Sequence, residues 1–166
     1  RQVYRDFSVI LVDNGSHDGS AAFVSENYPE VSIVALQENR GFAAANNIAL
    51  QMIKTEFVAL LNNDAVPDPL WLKFLVETLE ENPQAGSAAS KMLLYDRRES
   101  IDRAADGYTR AGAALLRGRG LSADVYRLRE WVFGACAAAA LYRMAMLRDI
   151  GFFDEDFFLL YEDVDL

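Results

Sequence analysis

The chain has 166 residues, of which 52% are hydrophobic and 25% are charged. At about 150 residues per domain this length predicts a single domain over residues 1–166, and the composition excludes intrinsic disorder and low-complexity fibres. Sixteen basic and twenty-five acidic residues give a net charge of −9, which argues against nucleic acid as a partner. Any anionic ligand is therefore expected to be bound by local groups.

Cys136 is the single cysteine, so an intrachain disulfide and a cysteine-based zinc site are not expected. A reducing, cytoplasmic location is expected instead. No apolar run approaches the roughly 20 residues that a membrane-spanning helix needs. The first residues also lack the apolar core of a signal peptide, so none is expected.

The first third of the chain alternates strand and helix patterns. A β-branched apolar run at 7–12 predicts a buried strand, and residues 18–20 predict the start of a helix that ends near 27, before Pro29. Residues 31–36 predict a second strand. Over 41–54 the apolar residues recur at helical spacing, with Asn46 at the edge of the apolar face and Asn47 directed away from it.

The rest of the chain continues this alternation less clearly. Residues 57–61 predict a third strand, and Asp68 with Pro69 predicts the start of a helix that ends near 82, which gives Asp68 a structural role. Residues 87–94 predict a further strand and 96–124 a polar, glycine-rich connection. Apolar character resumes at 132–142, before a short helix at 144–149.

This order of elements predicts an α/β fold with a mostly parallel central sheet flanked by helices. Ligands of such sheets bind beyond the carboxyl ends of the strands. Two predicted strands end in acidic and amide groups, one at Asp13 and Asn14 and the other at Asn62, Asn63 and Asp64. The second group is either a turn with an Asx hydrogen bond or a site where Asp64 binds Mg²⁺ or Mn²⁺ that also holds substrate phosphates.

Acidic and aromatic residues alternate over 152–165. A solvated acidic tail seldom carries so much aromatic surface, so we expect a packed segment that presents Glu162 and Asp163. A carboxylate beside apolar walls can have a raised pKa and act as a general base.

Several other residues have an ordinary structural explanation beside a functional one. His17 is expected at the surface, Cys136 as a buried inert thiol, and Trp131 in the core rather than as an acceptor platform. Gly134 marks either close backbone packing or a position near the substrates. The basic stretch 107–120 is either a mobile acceptor loop or a solvated connection.

Six segments in this order resemble a known family: 12–20, 38–47, 60–64, 133–136, 151–158 and 161–166. They are similar to the inverting family 2 glycosyltransferases of GT-A fold, in particular to rhamnosyltransferase-like members. The resemblance implies a sugar donor linked to UDP, dTDP or GDP, a saccharide or lipid-linked acceptor with a free hydroxyl, and a divalent Mn²⁺ or Mg²⁺ cofactor. A lipid-linked acceptor would place the protein at the cytoplasmic face of a membrane.

By the same resemblance, Asp13 reads the nucleobase, Asn62 faces the ribose, Asp64 binds the metal, and Asp163, with Glu162 beside it, is the catalytic base. The remaining positions implied by the resemblance are Asn14, Asn39, Arg40, Asn46 and Asn63 on the donor side, and Gly134, Cys136 and Trp131 on the acceptor side.

The chain also departs from the family pattern. The family's first strand and helix and its arginine-rich C-terminal segment are expected to be missing, which would leave a central sheet edge free for homo-oligomerisation. Asn62 stands where many relatives have aspartate. Two alternatives to a transferase are a non-catalytic nucleotide-sugar-binding fragment and a sugar-1-phosphate nucleotidyltransferase, although the phosphate loop of the latter is not found.

Overall fold

The computed structural model describes residues 1–166, which form nine strands and five helices. In chain order these are β1 (Ile10–Asp13), α1 (Ser20–Asn27), β2 (Ser32–Ala35), α2 (Phe42–Leu50), β3 (Phe57–Leu61), α3 (Trp71–Glu81), β4 (Ser87–Ala89), β5 (Lys91–Leu94), β6 (Arg97–Ala104), β7 (Asp106–Tyr108), β8 (Ala114–Leu116), β9 (Ala139–Arg143), α4 (Met144–Ile150) and α5 (Glu162–Asp165). No helix among them has the length and apolar character required to cross a membrane.

The α/β character predicted from the sequence is present, but the expected parallel pairing is limited to one pair of strands. β1 and β2 pair in parallel, whereas β9 lies between β3 and β4 and runs antiparallel to both. Apolar runs predict strands without fixing their direction. The prediction of a mostly parallel sheet is therefore corrected to a mixed arrangement.

The first strand is shorter and more exposed than predicted. β1 begins at Ile10, and the side chains of Phe7 and Val9 are exposed. The reason is the partner strand, because β2 begins at Ser32, directly opposite Ile10. Residues before Ile10 have only one ladder contact, the Ser32 N–H donating to the Val9 carbonyl at 3.0 Å.

The sequence predicts no strand in the polar, glycine-rich segment 96–124, but the structure forms strands there. β5 and β6 form an antiparallel pair around a two-residue turn, and β7 and β8 form a second pair. The basic stretch 107–120 thus contains most of the β7–β8 hairpin, and most of its residues are exposed. Charged residues in β6 hid the strand, since only Ile101 and Ala104 are fully buried there.

Two hydrophobic clusters lie on opposite sides of β9. Tyr142 packs with Phe153 in one cluster, while Leu141 packs against α3 in the other. This division follows from the alternation of side chains along a strand. The apolar positions of α3, at Leu72, Leu75, Val76 and Leu79, have the helical spacing that the sequence predicts.

Asn47 was predicted to point away from the core, and the structure corrects this. Its side chain is 4% exposed and lies against the backbone of Phe153. Its Nδ2 donates to the Phe153 carbonyl at 2.8 Å and its Oδ1 accepts the Phe153 N–H at 3.1 Å. The backbone of the 151–157 loop needs these partners, so Asn47 faces inward and holds the loop to α2.

Candidate functional site

The candidate donor side is built where β1 ends. Asp13 is buried, and its Oδ1 accepts the Ser16 N–H at 3.0 Å, which tightens the turn after the strand. Gly15 has a φ of 80°, and a Cβ at this position would lie 2.7 Å from the Glu38 carbonyl carbon. The turn therefore packs directly on the segment that follows β2.

Two asparagines join this turn to the start of α2. Asn14 Nδ2 donates to Asn39 Oδ1 at 2.9 Å and to the Gly41 carbonyl at 3.1 Å. Asn14 Oδ1 accepts the Arg40 N–H, and Asn39 Oδ1 also accepts the Gly41 N–H. The side chains of Asn14 and Asn39 thus hold the two loops together by hydrogen bonds. The side chain of Arg40, by contrast, is exposed and has no ion-pair partner. Asn46 is half-buried and bonds to the Phe42 carbonyl of its own helix.

The motif Asn62–Asp64 lies at the end of β3. The Ala65 N–H donates to the Asn62 carbonyl at 3.1 Å, which makes the motif a turn. The turn does not contain the alternative Asx hydrogen bond, because none of the three side chains forms a hydrogen bond with another protein group. Asn63 and Asp64 are exposed, so a carboxylate and two amides are available to a ligand.

These side chains fit a hard divalent cation. Mg²⁺ and Mn²⁺ prefer carboxylate and carbonyl oxygens and are commonly held by one or two carboxylates together with substrate phosphates. Asp64 has no lysine or arginine partner that would compete for its charge.

The second acidic motif is presented by α5. Glu162 is buried with its Oε2 lacking a hydrogen-bond partner, and burial raises the pKa of this carboxyl above its usual value. The Asp163 side chain is 12% exposed, and its Oδ2 accepts the Ala137 N–H at 3.2 Å. The prediction of a packed segment holds for Glu162 and Phe153, whereas the apolar residues 158–161 are exposed.

Asp163 also belongs to a cluster with Asp106 and the Cys136 thiol, whose oxygen and sulfur atoms lie within 4.8 Å of one another. This cluster does not fit a metal ion, because a cation already lies in it. Arg103 Nη1 is 3.0 Å from Asp106 Oδ1, 3.0 Å from Cys136 Sγ and 3.9 Å from Asp163 Oδ2. Burial raises the pKa of the Cys136 thiol to about 12, so the thiol is neutral. This agrees with the expectation of a buried, inert thiol.

A cavity of about 570 Å³ opens beside Asp163. Trp131 and Gly134 line it together with Asp163, whereas Cys136 is buried and does not line it. The preference for Trp131 as a core residue was wrong, since the residue is 67% exposed. Phe133 stacks on Tyr108 at the same side, with ring centroids 5.9 Å apart, and is itself exposed.

Two polar residues near Asp163 were missed by sequence reasoning. Arg103 and Asp106 lie in the polar segment 96–124, where the sequence predicts no strand, and Asp106 is only 1% exposed. No local motif marks them, because their position depends on the pairing of β6 and β7 with distant parts of the chain. His17, by contrast, is exposed as expected.

Residues 1–151 match the family model for glycosyl transferase family 2. The chain belongs to this family. The sugar-1-phosphate nucleotidyltransferase alternative is not favoured by that match.

A curated relative agrees with membership of glycosyl transferase family 2. The chain is 26% identical, over 98% of its own length and 60% of the relative's, to an N-acetylglucosaminyl-diphospho-decaprenol L-rhamnosyltransferase of Mycobacterium tuberculosis. It therefore spans about 60% of that relative.

Two solved structures share the fold. A mannosyltransferase from Pyrobaculum calidifontis in complex with GDP-Man and Mn²⁺ is 23% identical with a TM-score of 0.63, over 93% of this chain and 41% of that one. TarS of S. aureus in complex with UDP-GlcNAc is 21% identical with a TM-score of 0.59, over 92% of this chain and 42% of that one. At these identities the likeness establishes the GT-A fold.

Proposed function

We propose that this family 2 domain transfers a sugar from a nucleotide-diphosphate donor to a hydroxyl of a saccharide or lipid-linked acceptor, with inversion and with Asp163 as the base. One observation carries the proposal. The Asn62 N–H donates to the Ala138 carbonyl at 2.9 Å, and the neighbouring Ala137 N–H donates to Asp163 Oδ2 at 3.2 Å. Two consecutive residues thus tie the candidate metal motif to the candidate base.

The donor side of the proposal rests on Asp13 and on the loops that Asn14 and Asn39 hold together. Asp13 reads the nucleobase, while Arg40 and Asn46 border the nucleotide or sugar. Asn62 and Asn63 contact the ribose and diphosphate side of the donor. The Pyrobaculum and S. aureus structures carry GDP-Man and UDP-GlcNAc, which supports a nucleotide-sugar donor for this chain.

Asp64 would hold a divalent cation, with Asn62 and Asn63 beside it and the donor's phosphates as further ligands. When bound, this ion supplies charge stabilisation for the leaving nucleoside diphosphate, so no protein acid is required there. The Mn²⁺ in the Pyrobaculum mannosyltransferase structure supports the assignment.

The chemistry of the chain's own residues centres on Asp163. Its Oδ2 is engaged by the Ala137 N–H, so Oδ1 is the oxygen left to accept a proton. Asp163 takes the proton of the acceptor hydroxyl as that oxygen bonds to the anomeric carbon and the diphosphate leaves from the opposite face. One displacement of this kind inverts the anomeric centre.

The cavity that Asp163, Trp131 and Gly134 line would receive the acceptor. Exposed aromatic rings such as that of Trp131 offer a stacking surface for a sugar. The name of the mycobacterial relative supports a lipid-linked acceptor and hence action at the cytoplasmic face of a membrane. Homo-oligomerisation stays a prediction, which light scattering tests.

The test compares Asp163→Asn with Asp165→Asn, an exposed aspartate of the same helix. Both variants are titrated calorimetrically with UDP, dTDP and GDP in Mn²⁺, and both are assayed for nucleotide release from the matching sugar donors. We expect Asp163→Asn to bind the nucleotide like the wild type while turnover falls by about 10³-fold or more, and Asp165→Asn to retain both. Wild-type turnover in Asp163→Asn would remove Asp163 from the mechanism.

A further inference from the structure

Arg103 and Asp106 meet because the chain bends sharply between β6 and β7. Ala105, at the bend, has a φ of 79°, in the left-handed region that non-glycine residues rarely adopt, and it is fully buried. The bend brings the Arg103 guanidinium to 3.0 Å from the Asp106 carboxylate. The chain thus holds a strained conformation at the point that aims both side chains toward Asp163.

The Arg103 guanidinium is shared unequally between two carboxylates. Its Nη1 lies 3.0 Å from Asp106 Oδ1 and 3.9 Å from Asp163 Oδ2. Asp106 Oδ2 has no hydrogen-bond partner, although the residue is buried, and the Asp106 N–H is fixed by the Gly134 carbonyl at 3.0 Å. An unpaired buried oxygen is costly, so its retention beside the candidate base calls for an explanation.

We propose that Arg103 and Asp106 form a positioning pair for Asp163, in which Arg103 holds Oδ2 in place and Asp106 keeps the guanidinium from closing onto the base. This rests on the proposed role of Asp163. Without Asp106, the guanidinium would move toward Asp163 and form a direct ion pair with it, which lowers the basicity of the carboxylate. Without Arg103, Asp163 would face the negative charge of Asp106 alone.

The other titratable groups that face this cluster do not compensate. Burial raises the pKa of Cys136 to about 12 and that of Tyr142 well above its usual value, so both are neutral. Glu162, beside Asp163 on α5, adds a second acidic group whose pKa burial raises. Arg103 is therefore the cation that balances the acidic groups around Asp163.

The pair predicts a loss of turnover without a loss of donor binding. In a nucleotide-release assay of the full chain at neutral pH, we expect Arg103→Met to lower kcat by about tenfold or more while KM for the donor stays at the wild-type value. We expect Asp106→Asn to lower kcat as well, because the guanidinium is released toward Asp163. Arg103→Lys, which keeps the charge, is expected to restore most of the wild-type kcat.

The matched control is the Arg119–Asp102 pair, which is also anchored on β6 but lies 2.8 Å apart in a more exposed position. Arg119→Met and Asp102→Asn are expected to leave kcat and KM unchanged. Because Asp106 is buried, each variant is first checked by circular dichroism; if Asp106→Asn does not fold, the Arg103→Met and Arg103→Lys comparison decides. A wild-type kcat in Arg103→Met overturns the positioning pair.

The Asp163→Asn variant separates this inference from the proposed function. Loss of nucleotide release in Asp163→Asn, together with wild-type kcat in both pair variants, would leave the function standing and remove the positioning pair. Full turnover in Asp163→Asn would remove the proposed base itself. If both hold, Asp163→Asn and Arg103→Met lose turnover, Arg103→Lys retains most of it, and KM for the donor is unchanged in all three.

Discussion

Replacement of Asn47 by alanine tests how the loop before the base is held. Asn47 makes three hydrogen bonds, two with the backbone of Phe153 and one at 3.1 Å with Glu155 Oε1. The variant leaves the buried N–H and carbonyl of Phe153 without partners, and each unsatisfied group costs about 1–3 kcal/mol. The two groups together therefore lower the expected free energy of unfolding by about 2–6 kcal/mol.

The assay is urea unfolding followed by circular dichroism, with the adjacent Asn46→Ala as control. Asn46 bonds only to the carbonyl of Phe42 in its own helix, so its replacement is expected to change stability by less than about 0.5 kcal/mol. For a domain of this size the loss in Asn47→Ala corresponds to a decrease in Tm of roughly 4–24 °C. Equal unfolding midpoints for the two variants would refute the bridging role of Asn47.

Two further predictions concern the base loop and the buried acid. Gly41→Ala places a Cβ 2.5 Å from the Phe158 carbonyl oxygen at a φ of 83°, so we expect it to displace the segment before Glu162 and lower turnover at least tenfold. Gly19→Ala, at a φ of 86° with open space around it, is expected to cost only about 1 kcal/mol of stability, as measured by urea unfolding. If Gly41→Ala kept wild-type turnover, the Phe158 contact would have no part in placing the base. Burial raises the pKa of Asp106 from its ordinary 3.8 to about 6, so the folded state binds the proton more tightly than the unfolded state. The contribution of Asp106 to the free energy of unfolding should then fall by up to about 3 kcal/mol as pH rises from about 4 to 6. In urea unfolding at these two pH values, stability should therefore change more favourably with rising pH in Asp106→Asn than in the wild type.

The elements that the sequence predicts well are those with strong local signals. α1 and β3 occur where their patterns predict them, and α3 begins and ends within two residues of its predicted bounds. Asp68 supports the start of α3, since its Oδ1 accepts the Leu70 N–H at 2.8 Å. Local propensity, periodicity and capping act together in these segments, and tertiary contacts do not override them.

The errors arise where distant contacts decide the structure. β6 carries charged residues on most of its positions and becomes a strand because β5 pairs with it. Asn47 faces inward because the Phe153 backbone needs its hydrogen bonds, a requirement that helical periodicity cannot reveal. The polar motifs at the strand ends could be found in the sequence, whereas Arg103 and Asp106 reach Asp163 only through the bend at Ala105.

The proposed reaction depends on binding of a nucleotide-diphosphate donor through Asp64 and a divalent cation. This binding is measured by calorimetric titration of the wild type and of Asp64→Ala with UDP, dTDP and GDP, each with and without Mn²⁺. We expect one nucleotide to bind the wild type in a Mn²⁺-dependent manner and Asp64→Ala, still folded, to lose this dependence. Binding that is equally tight in Asp64→Ala, or no binding of any nucleotide to the folded wild type, would contradict it.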